Sequence, residues 1–167
     1  SEVRDHIQNL ERSLGSVAHV FHETLFIDGD EGMRLLEGLN PQGCPFIQAM
    51  CQSTARLEAT EDRALVEEST DWQRCLSVGL VSEKVRSAAM EGYREAGARR
   101  YEHIARRLDE TLKEREAGVL FIREDHHVQF PSDIQVFYVA PPALDALKRW
   151  MDDQYAAAMQ AASRQPE

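Results

Sequence analysis

GVLFIREDHHVQFPSDIQVFYVA, residues 118–140, is the stretch on which the fold class turns. It holds two apolar runs, 118–122 and 132–140, rich in β-branched and aromatic residues and bounded by charge or proline. Such runs read as strands covered on both faces, and strands of that kind belong to a mostly parallel sheet with helices on either side. Only about ten residues join strand 118–122 to strand 134–139, fewer than the dozen or more of a usual parallel crossover. A loop crossover and a local antiparallel pair both stay open.

Helical periodicity accounts for most of what precedes. Val3, Ile7, Leu10 and Leu14 recur at helical spacing and Gly15 ends the run, so residues 2–14 form an amphipathic helix. The run VAHVFHETLFI (17–27) reads as a strand from Val17 to Phe21, with Leu25 as its furthest end. DGDEG (28–32) is turn chemistry before a short helix, and NPQGCP (40–45) breaks the chain. FIQAMCQSTARL (46–57) is a core-packed helix, and RLEAT offers a short second strand. Thr60 can cap the next helix, with Glu61 and Asp62 in its first turn, where the dipole favours acids. The longest helix spans about 82–113, and a closing helix starts at the prolines 141–142. The expected class is α/β: a small mostly parallel sheet flanked by helices, in one domain over 1–160 with a frayed tail at 161–167.

The 167 residues imply one compact domain with a radius of gyration of roughly 15 Å. Acids outnumber bases 29 to 19, for a net charge of −10. A chain that repels phosphate overall is a poor nucleic-acid binder unless its cations are segregated. The Arg-rich stretch 94–108 is interleaved with Glu and reads as a solvated helix face. Three Cys at 44, 51 and 75 suit a reducing compartment and neither a disulfide framework nor a structural zinc site. No apolar run approaches the ~20 residues of a membrane helix. The expectation is a cytoplasmic protein that binds no nucleic acid and no membrane.

Candidate chemistry gathers at strand ends. His126 and His127 follow a buried strand, and the carboxyl edge of an open α/β sheet is where ligands bind. On extended chain the two side chains point apart, so one at most faces a cleft. Glu124 and Asp125 beside them would favour the charged imidazole, suited to general-acid work, and a neutral ring could ligate a metal. Glu23 ends the first strand and could reach the same edge as His126, as a base or ligand couple. His19 and His22 lie three apart on a strand and cannot both grip one metal without a bend. The acids 28, 30 and 31 lack the offsets of a calcium loop. Cys44 is the one thiol read as lying in a loop. No Walker phrase, dinucleotide fingerprint or Gly-x-Ser-x-Gly elbow occurs.

VFHETLFIDG, EATEDRALVEES and YEHIARRLDETLKEREAGVLFIREDHHVQFPSDIQVFYV together resemble, in order and spacing, a family of uncharacterised prokaryotic α/β proteins. The likeness covers roughly residues 17–139 and implies no activity. A more remote resemblance is to the TraB and erythromycin-esterase-like superfamily, which implies a strand-end Glu at Glu23, a helix-borne Arg at Arg100 and a turn His at His126. Arg123 and Glu124 stand where that superfamily has Gly and a small residue, so the close backbone approach that Gly permits is not available there.

Two expectations follow. The first is a non-catalytic α/β module, Rossmann-like in outline, that binds a small molecule or a protein partner, with long-helix packing available for a homodimer. The alternative is a small-molecule hydrolase with Glu23 and His126 as a catalytic or metal-binding pair and Arg100 stabilising an anion. A divalent metal stays open as its cofactor.

Overall fold

The structure, a computed structural model, describes residues 2–139 and 142–162. Its elements in chain order are α1 (Glu2–Leu14), β1 (Val17–His22), α2 (Gly29–Leu39), α3 (Cys44–Ser53), β2 (Arg56–Leu57), α4 (Arg63–Ser77), α5 (Glu83–Thr111), β3 (Ala117–Phe121) and α6 (Pro142–Ala162). Contacts group them into two units. One runs from Leu14 to Gln135 and holds the sheet; the other consists of α1 and the chain from Val136 through α6. The fraying expected of the tail concerns residues 163–167, which lie outside the described residues, while 161–162 close α6.

The sheet is wholly parallel, in the order β2-β1-β3. β1 is central, with Val17, Val20 and Phe21 buried, whereas β3 lies at the edge and has no buried residue despite its more apolar sequence. Its register puts Val20 beside Leu57 on one side and beside Val119 on the other. Beyond the strands the chain stays tied, since Thr60 N–H and Glu61 N–H both donate to the Leu25 carbonyl at 2.8 and 2.9 Å.

Against this sheet lies the C-terminal half of α5. Ile104 and Leu108 pack with Phe21 and Val128, flanked by Tyr101, Leu112, Leu120, Ile122, Phe130 and Ile134. Each fully buried side chain of this kind contributes about 1.5–3 kcal/mol. Val128 and Phe130 thereby pin the loop after β3 onto the core. The helix runs antiparallel to the strands: Leu112 meets Gly118 at the start of β3, Arg107 donates to the Ala59 carbonyl, and Arg100 reaches Glu61 beyond β2. With 29 residues α5 is about 43 Å long, against roughly 20 Å for the six residues of β1. Its first turns therefore project past the carboxyl edge of the sheet. α4 travels with them, with Trp72 set against Gly92 and Glu68 accepting from Arg99 at 2.6 Å.

Four expectations need correction. The run 134–139 joins no ladder; Ile134 contributes to the core, and Val136, Phe137 and Tyr138 are exposed. The link after β3 is too short for a parallel crossover, so strand propensity there goes unused. DGDEG is the start of α2 rather than a turn, with Asp28 at the cap position and Asp30 and Glu31 in the first turn, complementing the helix dipole. Asp62, not Thr60, caps α4, by accepting from Leu65 N–H at 3.1 Å. Cys44 lies in the first turn of α3 and is buried, and that burial, with Glu37, pushes its thiol up, away from reactivity.

Candidate functional site

The order β2-β1-β3 means that the chain leaves β1 to one side for β2 and returns on the other for β3. The carboxyl ends of β1 and β3 thus flank the switch point where the strand order reverses, the place at which open α/β sheets characteristically bind ligands. Two ion pairs of this unit, Glu23 with Arg123 and Glu61 with Arg100, meet there or beside it.

Glu23 follows β1 directly, and its N–H donates to the Phe121 carbonyl at 2.9 Å, extending the β1–β3 ladder by one rung. Across the switch point, Arg123 N–H donates to Glu23 Oε1 and Arg123 Nε to Oε2, both at 3.1 Å. The Arg123 side chain keeps 40% exposure. Burial works against its charge, yet the hydrogen bond and charge of Glu23, aided by Tyr101 and Tyr93, raise its pKa above the ordinary value.

Behind this pair stands a second one. Glu61 has a fully buried side chain and Arg100 is 11% exposed. Arg100 Nε donates to Glu61 Oε2 at 2.6 Å and Nη2 to Oε1 at 2.5 Å, a bidentate pair, while Nη1 reaches Ser69 Oγ at 3.3 Å. The Glu61 hydrogen bond is the main cause that raises the Arg100 pKa, so the guanidinium stays charged. Glu61 Oε1 also accepts from Thr24 N–H at 2.7 Å. Thr24 has φ of 70°, left-handed backbone that is costly for a β-branched residue, about 1–3 kcal/mol. Strain held in place by a buried carboxylate, one residue after Glu23, marks this elbow as constrained.

The histidines divide between roles. Nδ1–H of His22 donates to the Glu23 carbonyl at 2.6 Å, because a carbonyl only accepts; Nε2 then faces Asn40 Nδ2 at 3.4 Å. His19 is buried on β1 between Glu58, 2.8 Å from Nδ1, and Glu116, 3.2 Å from Nε2, and so ties all three strands. His126 sets its ring edge-on to Phe130 and accepts at Nδ1 from Val128 N–H at 3.3 Å. The neighbouring His127 stands edge-on to Tyr101 instead, so the two rings do part as extended chain requires. Below Tyr101 lies a depression of about 380 Å³, lined by Ala98, Tyr101, Glu102, Ala105, His127 and Gln129.

Of the residues singled out from sequence, then, Glu23 and Arg100 come to the same edge but in separate pairs, each with another partner. Both Glu23 oxygens serve Arg123. Among the described residues, no three or more His, Cys, Asp or Glu side chains are grouped so as to hold a metal ion. Glu61 was hidden from sequence reasoning by its place in a capping phrase, and Arg123 by being read as a lost glycine. The Arg-rich stretch is a solvated face only in part: Arg94 and Arg106 pair with Glu91 and Glu110 outside, but Arg100 is buried. Among the described residues no helix is long and apolar enough to cross a membrane. No known family, curated protein or solved structure matches the chain.

Proposed function

We propose that this chain is a small-ligand-binding α/β module whose ligand sits in the crevice between the carboxyl ends of β1 and β3. The observation that carries this reading is the sheet order, which reverses between these two strands, with the Glu23–Arg123 pair spanning their ends. The constrained Thr24 elbow and the overhanging first half of α5 support it, since both shape the same space. A hydrolase built on Glu23 would need that carboxylate free to take a proton or a metal, whereas both its oxygens accept from Arg123. Binding therefore explains the arrangement better than catalysis.

Heteronuclear NMR of the labelled chain against a soluble fragment set covering cationic, neutral and anionic compounds tests this. Shift changes clustered at residues 22–25, 93–101 and 122–127 are expected for at least one class. Fragments of every class leaving those amides unmoved, or moving only amides elsewhere, would refute the reading.

A further inference from the structure

The chemistry of the crevice narrows what it can hold. An arginine carries five N–H donors in a planar fork, and Glu23 engages only Nε of Arg123, its second oxygen being met by the backbone N–H. The end-on edge of the fork, Nη1 and Nη2, meets no protein acceptor among the described residues, on a side chain that is still 40% exposed. That edge offers two parallel N–H donors, the geometry for gripping a carboxylate or phosphate bidentately.

The wall opposite is α5. Tyr93, Gly97 and Tyr101 follow one another at intervals of four, so they share one stripe of the helix. Gly97 and Tyr93 lie in the turns that project past the sheet, and Tyr101 lies at its edge. A Cβ added at Gly97 would meet nothing within 4 Å, whereas one at Gly92, a turn away, would strike Trp72 at 2.4 Å. Gly97 is thus a notch open on its outer side, bracketed by two phenols. Tyr101 packs onto the same core cluster as Ile122, the residue before Arg123, so the stripe starts beside the end of β3 that carries the fork. Arg100 is no competitor for a ligand, because all three of its nitrogens are engaged by Glu61 and Ser69.

We infer that the crevice takes a small oxyanion-bearing molecule, its carboxylate or phosphate on Nη1 and Nη2 of Arg123 and its body over Gly97 between Tyr93 and Tyr101. This rests on the small-ligand reading above and supplies its ligand class. The acid–base balance of the chain as a whole is unfavourable to anions, so the selectivity is local, a matter of one uncommitted guanidinium edge with Glu23 already satisfied by other donors.

Calorimetry and NMR on the full chain with three probes, inorganic phosphate, benzoate and its neutral isostere benzamide, decide the matter. Benzoate or phosphate is expected to bind at millimolar or lower concentration and to move the amides of 93–101 and 122–124, with benzamide at least about tenfold weaker. Arg123→Lys keeps a cation for Glu23 but removes the fork, and should weaken the anion at least about tenfold. Gly97→Leu fills the notch with a better helix former, so the fold is kept. If the natural ligand is a carboxylate with a flat body, this variant loses benzoate and keeps phosphate; if phosphate alone binds and survives in Gly97→Leu, the headgroup is the ligand's anchor and a phosphate ester the class. Anion affinity equal in wild type and Arg123→Lys overturns the inference. Benzamide binding as tightly as benzoate, at the same amides, overturns the anion class while leaving the small-ligand reading in place. Silence at those amides from every probe and every fragment removes both.

Discussion

Replacing Glu61 by Ala is the perturbation whose size follows most directly from the structure. The carboxylate is fully buried and takes three hydrogen bonds, two from Arg100 and one from Thr24 N–H, at 2.5 to 2.7 Å. Its loss strands a guanidinium that is 11% exposed, with only Ser69 left as a neutral acceptor, and orphans the N–H of a residue already held at φ of 70°. Breaking a buried pair by removing one partner costs about 3–5 kcal/mol, because the charge left behind is desolvated and uncompensated. Water can follow Arg100 into the space, which favours the lower end of that range. For a chain of this length the midpoint of thermal unfolding should then fall by roughly 10 °C. The double variant Glu61→Leu with Arg100→Met removes both charges and leaves only the Thr24 N–H orphaned, so it should lie within about 1–3 kcal/mol of wild type. Urea unfolding followed by circular dichroism, over wild type, Glu61→Leu, Arg100→Met and the double variant, measures the coupling, expected to be at least about 2 kcal/mol. If Glu61→Ala costs under about 1 kcal/mol, or the double variant loses the sum of the two singles, the pair is not the tie described above.

The other predictions use the same unfolding assay. Gly92→Ala should destabilise by about 1–3 kcal/mol despite its better helix propensity, because the new methyl meets the Trp72 ring at 2.4 to 2.8 Å; in a Trp150→Phe background the Trp72 emission should shift as well. Gly97→Ala, with open space and no strain to relieve, should instead gain up to about 1 kcal/mol, and a loss there would show that the notch is closed. Asp62→Ala should cost about 0.5–2 kcal/mol through loss of the α4 cap, and Asp62→Asn markedly less. Glu116 has its pKa lowered, first by Lys113 N–H and then by His19, so its contribution is present above the ordinary carboxylate value of 4.5 and is lost as pH falls through the lower folded value. The stability gap between wild type and Glu116→Gln should accordingly persist at pH 7 and close as the titration is carried below 4.5; a gap independent of pH would show that the carboxylate's charge is not what counts.

Much of the architecture was legible in the sequence because it depends on neighbours. The apolar rhythm of α1, Ser82 before α5 and the unbroken apolar run of β3 are all local and pointed to a parallel α/β class, although β3 is a half-buried edge strand and not one covered on both faces. The same locality misled at 134–139, where strand propensity is strong but no crossover of sufficient length brings the segment into register. It misled again at Thr60–Asp62. Thr60 and Asp62 both carry capping chemistry, and it is Asp62 that caps, while Glu61 between them turns inward.

The partner of Glu61 is 39 residues away, that of Glu23 is 100 away, and the ring of His19 is shared between residues 58 and 116. By itself, the sequence determined most of the helices, the strands at 17–22 and 117–121, and a mostly parallel α/β class, since capping and periodicity act over a few turns. The tertiary structure alone decided the order β2-β1-β3, hence where the switch point lies and which charges face one another across it. Strand order is a choice among packings of the same segments, and a charge has no preferred partner until that choice is made.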